Sequence, residues 1–328
     1  GVNAKIDLLS FGFKVKQNYF SFNITENIFF RLNMPKGLLE LPIYGNGNFT
    51  HNNGVIDMKN FGINMTHYRE FGFGWQREMN DKLSLGAKAK LLFGKSNIHT
   101  KKSTFKLETD PTTYDLDVSG EIDFRTSGFE NGGHLEQEDV SGYMMDTKNK
   151  GFAIDLGGVY KLTDKIEVNA SVVDLGFINW KTANYNIKTN NSAYAFAGVD
   201  LTEYFFAADS VSSDTLDAIL ERLEQELEDE FGYGTNGDKY IAPLTARLHF
   251  GGTYQVYEGK NSGGKAGVLL QTEIYQKTIR PSLTLSYNQS LGRWLNASLA
   301  YSMVNRGYNN LGAGLSLNLG PLQFYAAV

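Results

Sequence analysis

The 328-residue sequence contains no cysteine, which excludes disulfides, thiolate metal sites and a cysteine nucleophile. It has only 6 prolines, and no apolar run approaches the roughly 18 residues that a spanning helix needs. No Gly-x-Ser-x-Gly elbow and no phosphate-binding loop occurs. Metal-binding spacing is absent from all five histidines, which are His51, His67, His99, His134 and His249. We therefore predict no catalysis, no cofactor and no metal site.

The charge balance limits the partners. The chain has 31 basic and 36 acidic residues, a formal net charge of −5, whereas nucleic-acid binding requires a basic surface. Composition also favours strands, because the 18 Tyr and 22 Phe residues are strand formers, and the 35 glycines are tolerated in sheets at bends and close contacts. The sequence thus predicts a β protein with no nucleic-acid partner.

A two-residue alternation is the main positive signal. Between residues 83 and 93 the odd positions are Leu, Leu, Ala, Ala, Leu and Phe, whereas Ser84, Gly86, Lys88 and Lys90 lie on the other face. The same alternation returns near residues 166–172, 283–287 and 295–301. Each segment is a strand with one uncharged face and one polar face. A membrane barrel turns the uncharged face to lipid, whereas a soluble two-sheet protein, which is the alternative, would turn the polar face to water.

The connections favour the barrel. Short polar turns occur at residues 79–83, 162–166 and 291–295, and long polar stretches occur near 44–60, 96–150 and 178–240. Short turns at one rim and long loops at the other are typical of outer-membrane barrels, with the short turns in the periplasm. We predict an all-β fold, a single transmembrane antiparallel β-barrel domain over residues 1–328 with about 12 to 14 strands. Because both ends of the numbering look like strands, we expect a leader and terminal segments beyond them.

One segment follows helical spacing. Near residues 213–231 the apolar positions recur every three or four residues, and the opposite face is strongly acidic. We predict a short amphipathic helix that lies over a rim, in the mouth of the barrel or against a partner protein. The candidate docking residues on its apolar face are Leu216, Leu220, Leu223 and Leu227.

Polar residues at inward positions of the predicted strands are the candidate lumen lining. They are Lys88, Lys90, Glu167, Arg247, His249 and Glu273. Both signs of charge occur in this set. Such residues either line a water-filled path or pair with one another and fill the interior.

Three stretches resemble a known family. They are residues 172–181 with the sequence Val-Val-Asp-Leu-Gly-Phe-Ile-Asn-Trp-Lys, the opening residues 6–22, and residues 79–88. They resemble an uncharacterised outer-membrane β-barrel family of Bacteroidota over nearly the whole chain. That family is more distantly similar to long-chain fatty-acid transporter barrels and to the lipoprotein-shuttle barrel of type IX secretion. The resemblance implies a bacterial outer-membrane location and contact with outer-membrane lipid and other envelope proteins.

Two functions follow as hypotheses. The first is a transport or porin-like barrel for a small or amphiphilic solute. The second is a non-conducting scaffold or adaptor subunit of a cell-envelope complex for secretion or assembly, in which the long polar stretches bind a partner. The chemistry of the chain gives least support to an enzyme.

Overall fold

A computed structural model describes residues 1–44, 53–59, 61–129, 140–196, 221, 225–226, 229–260, 262–275, 278–304, 307–319 and 322–327. Its strands are β1 (Val2–Val15), β2 (Asn18–Asn33), β3 (Val55–Asp57), β4 (Gly62–Glu78), β5 (Leu83–Ser103), β6 (Lys106–Thr109), β7 (Leu116–Gly120), β8 (Ile122–Ser127), β9 (Asn149–Lys161), β10 (Ile166–Trp180), β11 (Asn186–Thr189), β12 (Ser192–Phe196), β13 (Tyr233–Asn236), β14 (Tyr240–Pro243), β15 (Ala246–Glu258), β16 (Ser262–Tyr275), β17 (Thr278–Leu291), β18 (Leu295–Val304), β19 (Gly307–Leu319) and β20 (Leu322–Ala327). Helices α1 (Lys36–Tyr44) and α2 (Val140–Met145) lie between strands.

Twelve strands form one antiparallel path in the order β1-β2-β4-β5-β9-β10-β15-β16-β17-β18-β19-β20. They include the four segments for which the sequence analysis describes alternation, in β5, β10, β17 and β18, and the all-β prediction is confirmed. Within the described residues β1 pairs only with β2, and β20 pairs only with β19. The sheet therefore has two free edges, and this differs from the closed barrel that the sequence predicts.

All the connections at one end of the twelve-strand path are short, and we call this end the turn rim. Local hydrogen bonds build two of these turns. The side-chain oxygen of Asn80 accepts hydrogen bonds from the N–H groups of Lys82 and Leu83, both at 2.9 Å. The hydroxyl of Thr163 accepts one from the N–H of Ile166 at 3.0 Å. Asn and Thr are favoured at turns for this reason.

The opposite end, which we call the excursion rim, carries the three long polar stretches. Within the described residues these stretches contain strands, where the sequence analysis expects loops. Residues 96–103 still belong to β5 and residues 178–180 to β10, while β8, β11, β13 and β14 extend the main sheet. A second, four-stranded sheet has the order β12-β7-β6-β3. Helices α1 and α2 were also not predicted. No helix among the described residues has the length and apolar character needed to cross a membrane.

The main sheet is strongly curled. Arg31 on β2 and Glu273 on β16 form an ion pair at 2.6 Å, although six steps of the strand order separate β2 from β16. Neighbouring strands lie about 4.8 Å apart, so a flat sheet would separate these two strands by roughly 29 Å. The face that carries both side chains is therefore concave, and it encloses an interior.

The distribution of side chains is the reverse of that in a soluble protein. Polar residues of the concave face are buried, including Glu70, Lys90 and Asp174. Large apolar residues cover the convex face and are exposed, including Phe73, Leu91, Phe152, Phe177, Phe250, Leu285, Leu299 and Leu315. This arrangement leaves an extended apolar surface, far beyond the isolated patches that soluble monomers expose.

Part of the helix predicted near residues 213–231 lies within the described residues. Residues 221, 225–226 and 229–231 are helical. Phe231 is buried against Phe105 of the excursion rim, with ring centroids 5.3 Å apart. Four acidic side chains are exposed, namely Glu221, Glu226, Asp229 and Glu230. The predicted docking residues Leu216, Leu220, Leu223 and Leu227 lie outside the described residues.

Candidate functional site

All six candidate lumen residues lie on the concave face. Lys88 forms an ion pair with Glu70 at 2.9 Å, and Glu273 binds both Arg31 and Arg247. His249 contacts the hydroxyl of Ser171 at 3.4 Å. Glu167 is paired across the strands with Lys161 near the turn rim. Lys90 and Arg247 belong to a larger ionic network.

Lys90 is the centre of this network. Its ammonium lies 2.6 Å from Asp155 and from Asp174, and 3.9 Å from Glu70. The Lys90 side chain is only 2% exposed. A buried ammonium requires such partners, because desolvation of an unpaired charge costs several kcal/mol. We call the connected residues Lys5, Glu70, Lys88, Lys90, Asp155, Asp174 and Arg247 the charged girdle.

Asp174 connects the two sides of the charged girdle through a β-bulge. The register of β10 against β9 shifts between Val172 and Leu175, and Asp174 has a φ of 59°. Asp is among the few residues that adopt this left-handed conformation at low cost. The Asp174 N–H donates to a carboxylate oxygen of Asp155 at 2.8 Å, which holds the bulge. The Asp174 carboxylate therefore turns inward, where it also pairs with Arg247 at 3.0 Å and with Lys5 at 3.6 Å.

A second layer of polar contacts crosses the interior nearer the excursion rim. Arg247 and Arg31 both pair with Glu273, at 3.6 Å and 2.6 Å. Arg280 on β17 donates a hydrogen bond to the side chain of Asn33 on β2 at 2.7 Å. These contacts join opposite walls of the interior at this level.

An apolar cluster occupies the interior beside the girdle. It consists of the buried residues Tyr68, Leu92, Ala153, Ile178, Trp180 and Ala242. Glycine allows the close packing: a Cβ atom at Gly94 would lie 2.5 Å from the Trp180 ring, and one at Gly176 would lie 2.4 Å from Ala153. The cluster therefore depends on the absence of side chains at these two positions.

The free volume of the interior differs between its two halves. At the level of Tyr68, Asp174 and Arg247 a cavity of about 30 Å³ remains, which holds one or two water molecules. Towards the turn rim two open cavities of about 540 and 570 Å³ are lined by polar side chains such as Ser84, Asn169 and Asn288. We call this pair of cavities the vestibule. It ends at the charged girdle.

Sequence reasoning missed several residues of this site. Glu70 and Asp155 occupy inward positions of alternating strands, so their parity in the sequence was an available signal. Asp174 was hidden because the bulge changes the parity of β10 after Val172. Residues 172–181, the most distinctive stretch of the sequence, contain Asp174, Gly176, Ile178 and Trp180. The structure thus gives each of these positions a physical role.

These features define a class of protein, a curled antiparallel sheet with an apolar convex face and a charged, filled interior. The chain belongs to the family described as "Family of unknown function (DUF5723)", whose model matches residues 1–328. The comparison with curated proteins gives no match. Among solved structures, CdiB from Escherichia coli is similar with 5% sequence identity and a TM-score of 0.33, and the match covers 97% of this chain and 52% of CdiB. The chain thus spans about half the length of CdiB.

Proposed function

We propose that this chain forms an outer-membrane β-barrel whose twelve-strand sheet is the wall. The convex face supports this, because its exposed Phe, Leu and Val side chains suit lipid contact. Strand length also supports it, since β4, β9 and β10 have 17, 13 and 15 residues and a tilted spanning strand needs about 9 to 11. In this orientation the turn rim faces the periplasm and the excursion rim faces outward.

Within that barrel, we propose a non-conducting scaffold or adaptor rather than a pore. The observation that carries this proposal is the charged girdle, which lies beside the apolar cluster, with a cavity of only about 30 Å³ at the level of Tyr68, Asp174 and Arg247. Passage of a solute would require Lys90 to leave three carboxylates at once. Separation of these charges is unfavourable, although Glu70 keeps Lys88 and Asp174 keeps Arg247 as partners. The transport hypothesis of the sequence analysis therefore requires an opened state with a different interior.

A closed interior leaves two surfaces for function. The excursion rim carries the four-stranded sheet and the exposed acidic part of the helix, where Glu226 bonds to the hydroxyl of Tyr194. The vestibule opens at the turn rim. We propose that another envelope protein binds at the excursion rim, because a basic partner surface would complement the exposed acidic residues.

Single-channel recording tests the closed interior directly. We expect purified protein in planar lipid bilayers to give no conductance steps, in membranes where a known porin conducts. The matched variant is Lys90→Ala combined with Trp180→Ala, which removes the centre of the girdle and the largest residue of the apolar cluster. Steady conductance of the wild type would overturn the scaffold proposal and restore the transport hypothesis. Conductance confined to the double variant would support the girdle and the apolar cluster together as the seal.

Copurification tests the adaptor role. We expect a stoichiometric partner to copurify from native membranes, and we expect the complex to be lost when Glu221, Glu226, Asp229 and Glu230 are all changed to Gln. A wild-type protein that purifies alone, and a complex that survives this fourfold change, would each count against binding at the excursion rim.

A further inference from the structure

One ionic cluster lies on the convex face, where the neighbouring outward-facing residues are apolar. Glu26 is the only charged residue at an outward position of β2, with Ile24 and Ile28 on either side. It pairs across the strands with Arg69 of β4, and their side chains form an ion pair. Charged residues on this face are costly, so their presence requires a specific role or a cover.

Four side chains of this cluster form a continuous hydrogen-bonded chain. The Nε2 atom of His67 lies 3.1 Å from a carboxylate oxygen of Glu26, and the Nδ1 atom lies 2.7 Å from the hydroxyl of Tyr143. That hydroxyl lies 3.1 Å from the hydroxyl of Ser96. A carboxylate accepts hydrogen bonds, so the contact with Glu26 assigns the proton of a neutral His67 to its Nε2 atom. The Nδ1 atom is then unprotonated and faces the hydroxyl of Tyr143.

Ser96 and His67 are direct partners across β5 and β4. The Cβ atoms of such partners lie about 4.5–5.5 Å apart, so the Ser96 hydroxyl is within reach of Nδ1 when Tyr143 moves away. Tyr143 belongs to the six-residue helix α2, which covers the cluster from the excursion rim. Arg69 and Lys95 add positive charge beside it, and the Lys95 ammonium donates to the carbonyl of Asp146 just after α2.

We propose that Ser96, His67 and Glu26 form a hydrolase site for acyl esters of membrane lipids, with α2 as its lid. A carboxylate that orients a histidine, and a histidine next to a serine hydroxyl, are the groups needed for nucleophilic acyl transfer. The position on the lipid-facing surface selects the substrate class. The exposed side chains of Ile28 and Phe30 next to the cluster provide an apolar surface for an acyl chain.

The reaction balances with water as the second substrate. The Ser96 oxygen forms a bond to the ester carbonyl carbon while its proton passes to Nδ1 of His67. The ester C–O bond then breaks, and the alcohol leaves with that proton. Water attacks the acyl-serine with His67 as base, which releases the fatty acid and restores Ser96. Glu26 is a positioning residue, since it acts through His67.

The chain contains a natural control. Ser171 and His249 also form a serine–histidine contact, at 3.4 Å, but they lie on the concave face. Among the described residues no carboxylate bonds to His249. Ser171 thus has a neighbouring histidine without the orienting acid and without access to lipid.

Labelling with an alkyl fluorophosphonate, which reacts with activated serines, tests the proposal on the whole protein in detergent micelles. We expect mass spectrometry to find the label on Ser96. Ser96→Ala should abolish labelling, His67→Gln should slow it at least tenfold, and Ser171→Ala should leave it unchanged. Tyr143→Ala should accelerate it at least tenfold, because the lid contact is lost. Glu26→Gln should change the pH profile of labelling, and Glu26→Asp should restore that profile.

Each variant is scored only if it keeps the compact migration of a folded barrel in an unheated gel. Absence of label on Ser96 in both folded wild type and folded Tyr143→Ala protein would overturn the proposal. Equal labelling of Ser96 and Ser171 would also overturn it, since it would show no effect of Glu26 or of location. Release of p-nitrophenol from p-nitrophenyl laurate by wild type, and its loss in Ser96→Ala, would support it independently.

Discussion

Single side chains in the interior make unusually large contributions to the stability of this protein. The ammonium of Lys90, whose side chain is 2% exposed, lies within 4 Å of three carboxylates. A buried ion pair adds little net stability compared with apolar side chains, yet removal of one partner is expensive because the remaining charges stay buried. The sensitivity of the girdle therefore depends on which residue is removed.

We expect Lys90→Met to lower the free energy of unfolding by about 3–5 kcal/mol, because Asp155 loses its Lys90 partner and the buried Asp174 keeps only Arg247 and Lys5. Lys88→Met is the matched control. Lys88 is on the same strand and face, but its side chain is 29% exposed and pairs only with Glu70, so we expect a loss below about 1 kcal/mol. Urea unfolding in lipid vesicles measures both. Equal losses would contradict the central role of Lys90.

His99 makes the excursion rim sensitive to acid. It lies in the last part of β5, which extends past β9 and pairs with β8. Burial, with a smaller effect of the Arg125 charge, lowers the pKa of His99 to about 4 from 6.5. Between these values the unfolded chain binds a proton that the folded chain does not, so stability is full above pH 6.5 and falls as the pH approaches 4.

We expect this region to lose up to about 3 kcal/mol of local stability between pH 7 and pH 4. Hydrogen exchange of residues 97–127, corrected for intrinsic rates, measures the loss. His99→Leu removes the titrating group, and the Nδ1 atom of His99 has no hydrogen-bond partner among the described residues to lose. An unchanged acid sensitivity in His99→Leu would assign the effect to another group.

At the scale of elements, β10 joins the ionic and apolar parts of the interior. Its bulge directs Asp174 into the girdle, and two residues later the chain places Gly176 against β9. Ile178 and Trp180 then fill the apolar cluster. Strand β10 thus positions residues of both the charged girdle and the apolar cluster, and its neighbouring strands must leave space for Trp180.

We expect Gly94→Ala to destabilise the protein by about 1–3 kcal/mol, since its Cβ would overlap the Trp180 ring. Gly86→Ala is the control on the inner face of the same strand. The nearest atom to its Cβ would be 3.7 Å away, so we expect a change within about 0.5 kcal/mol. Unfolding followed by tryptophan fluorescence compares them. Similar losses of stability in the two variants would show that overlap with the Trp180 ring does not cause the destabilisation.

At the scale of the whole molecule, the exposed apolar face decides where the protein is stable. Leu299 on β18 is 64% exposed on the convex face, and its neighbour Ser298 lies on the concave face beside the vestibule. In water an arginine at either position would not lower the folding stability of the protein. In a membrane the two positions differ, because only one faces lipid.

We expect Leu299→Arg to reduce folding stability in lipid vesicles by about 2–4 kcal/mol. Ser298→Arg should have a much smaller effect, since its charge reaches the water of the vestibule. Folding yield and urea unfolding in vesicles provide the measurement. If both variants fold equally well, or if the wild type stays folded and monomeric without detergent, the convex face does not contact lipid.

Much of the fold was accessible from local pattern. Alternation identifies strands of the main path such as β5, β10, β17 and β18, and the turns at Asn80 and Thr163 follow from residue chemistry. The strands within the long polar stretches were missed, because β6, β11 and β13 have only 4 residues each and too few alternations to detect. The inward position of Asp174 was missed because the bulge shifts the face of every residue after it.

Except where a β-bulge interrupts a strand, as at Asp174, the sequence by itself determined which residues share a face, because a strand places alternate side chains on opposite sides whatever its surroundings. Only the tertiary structure decided what those faces do. Curling of the sheet brings β2 to β16 and Lys5 to Asp174, contacts between residues far apart in the chain. It also joins opposite walls of the interior by ion pairs, whereas Glu26, His67 and Ser96 come together through the pairing of the neighbouring strands β2, β4 and β5. No local pattern contains the contacts across the interior, since they depend on the curvature of the whole sheet.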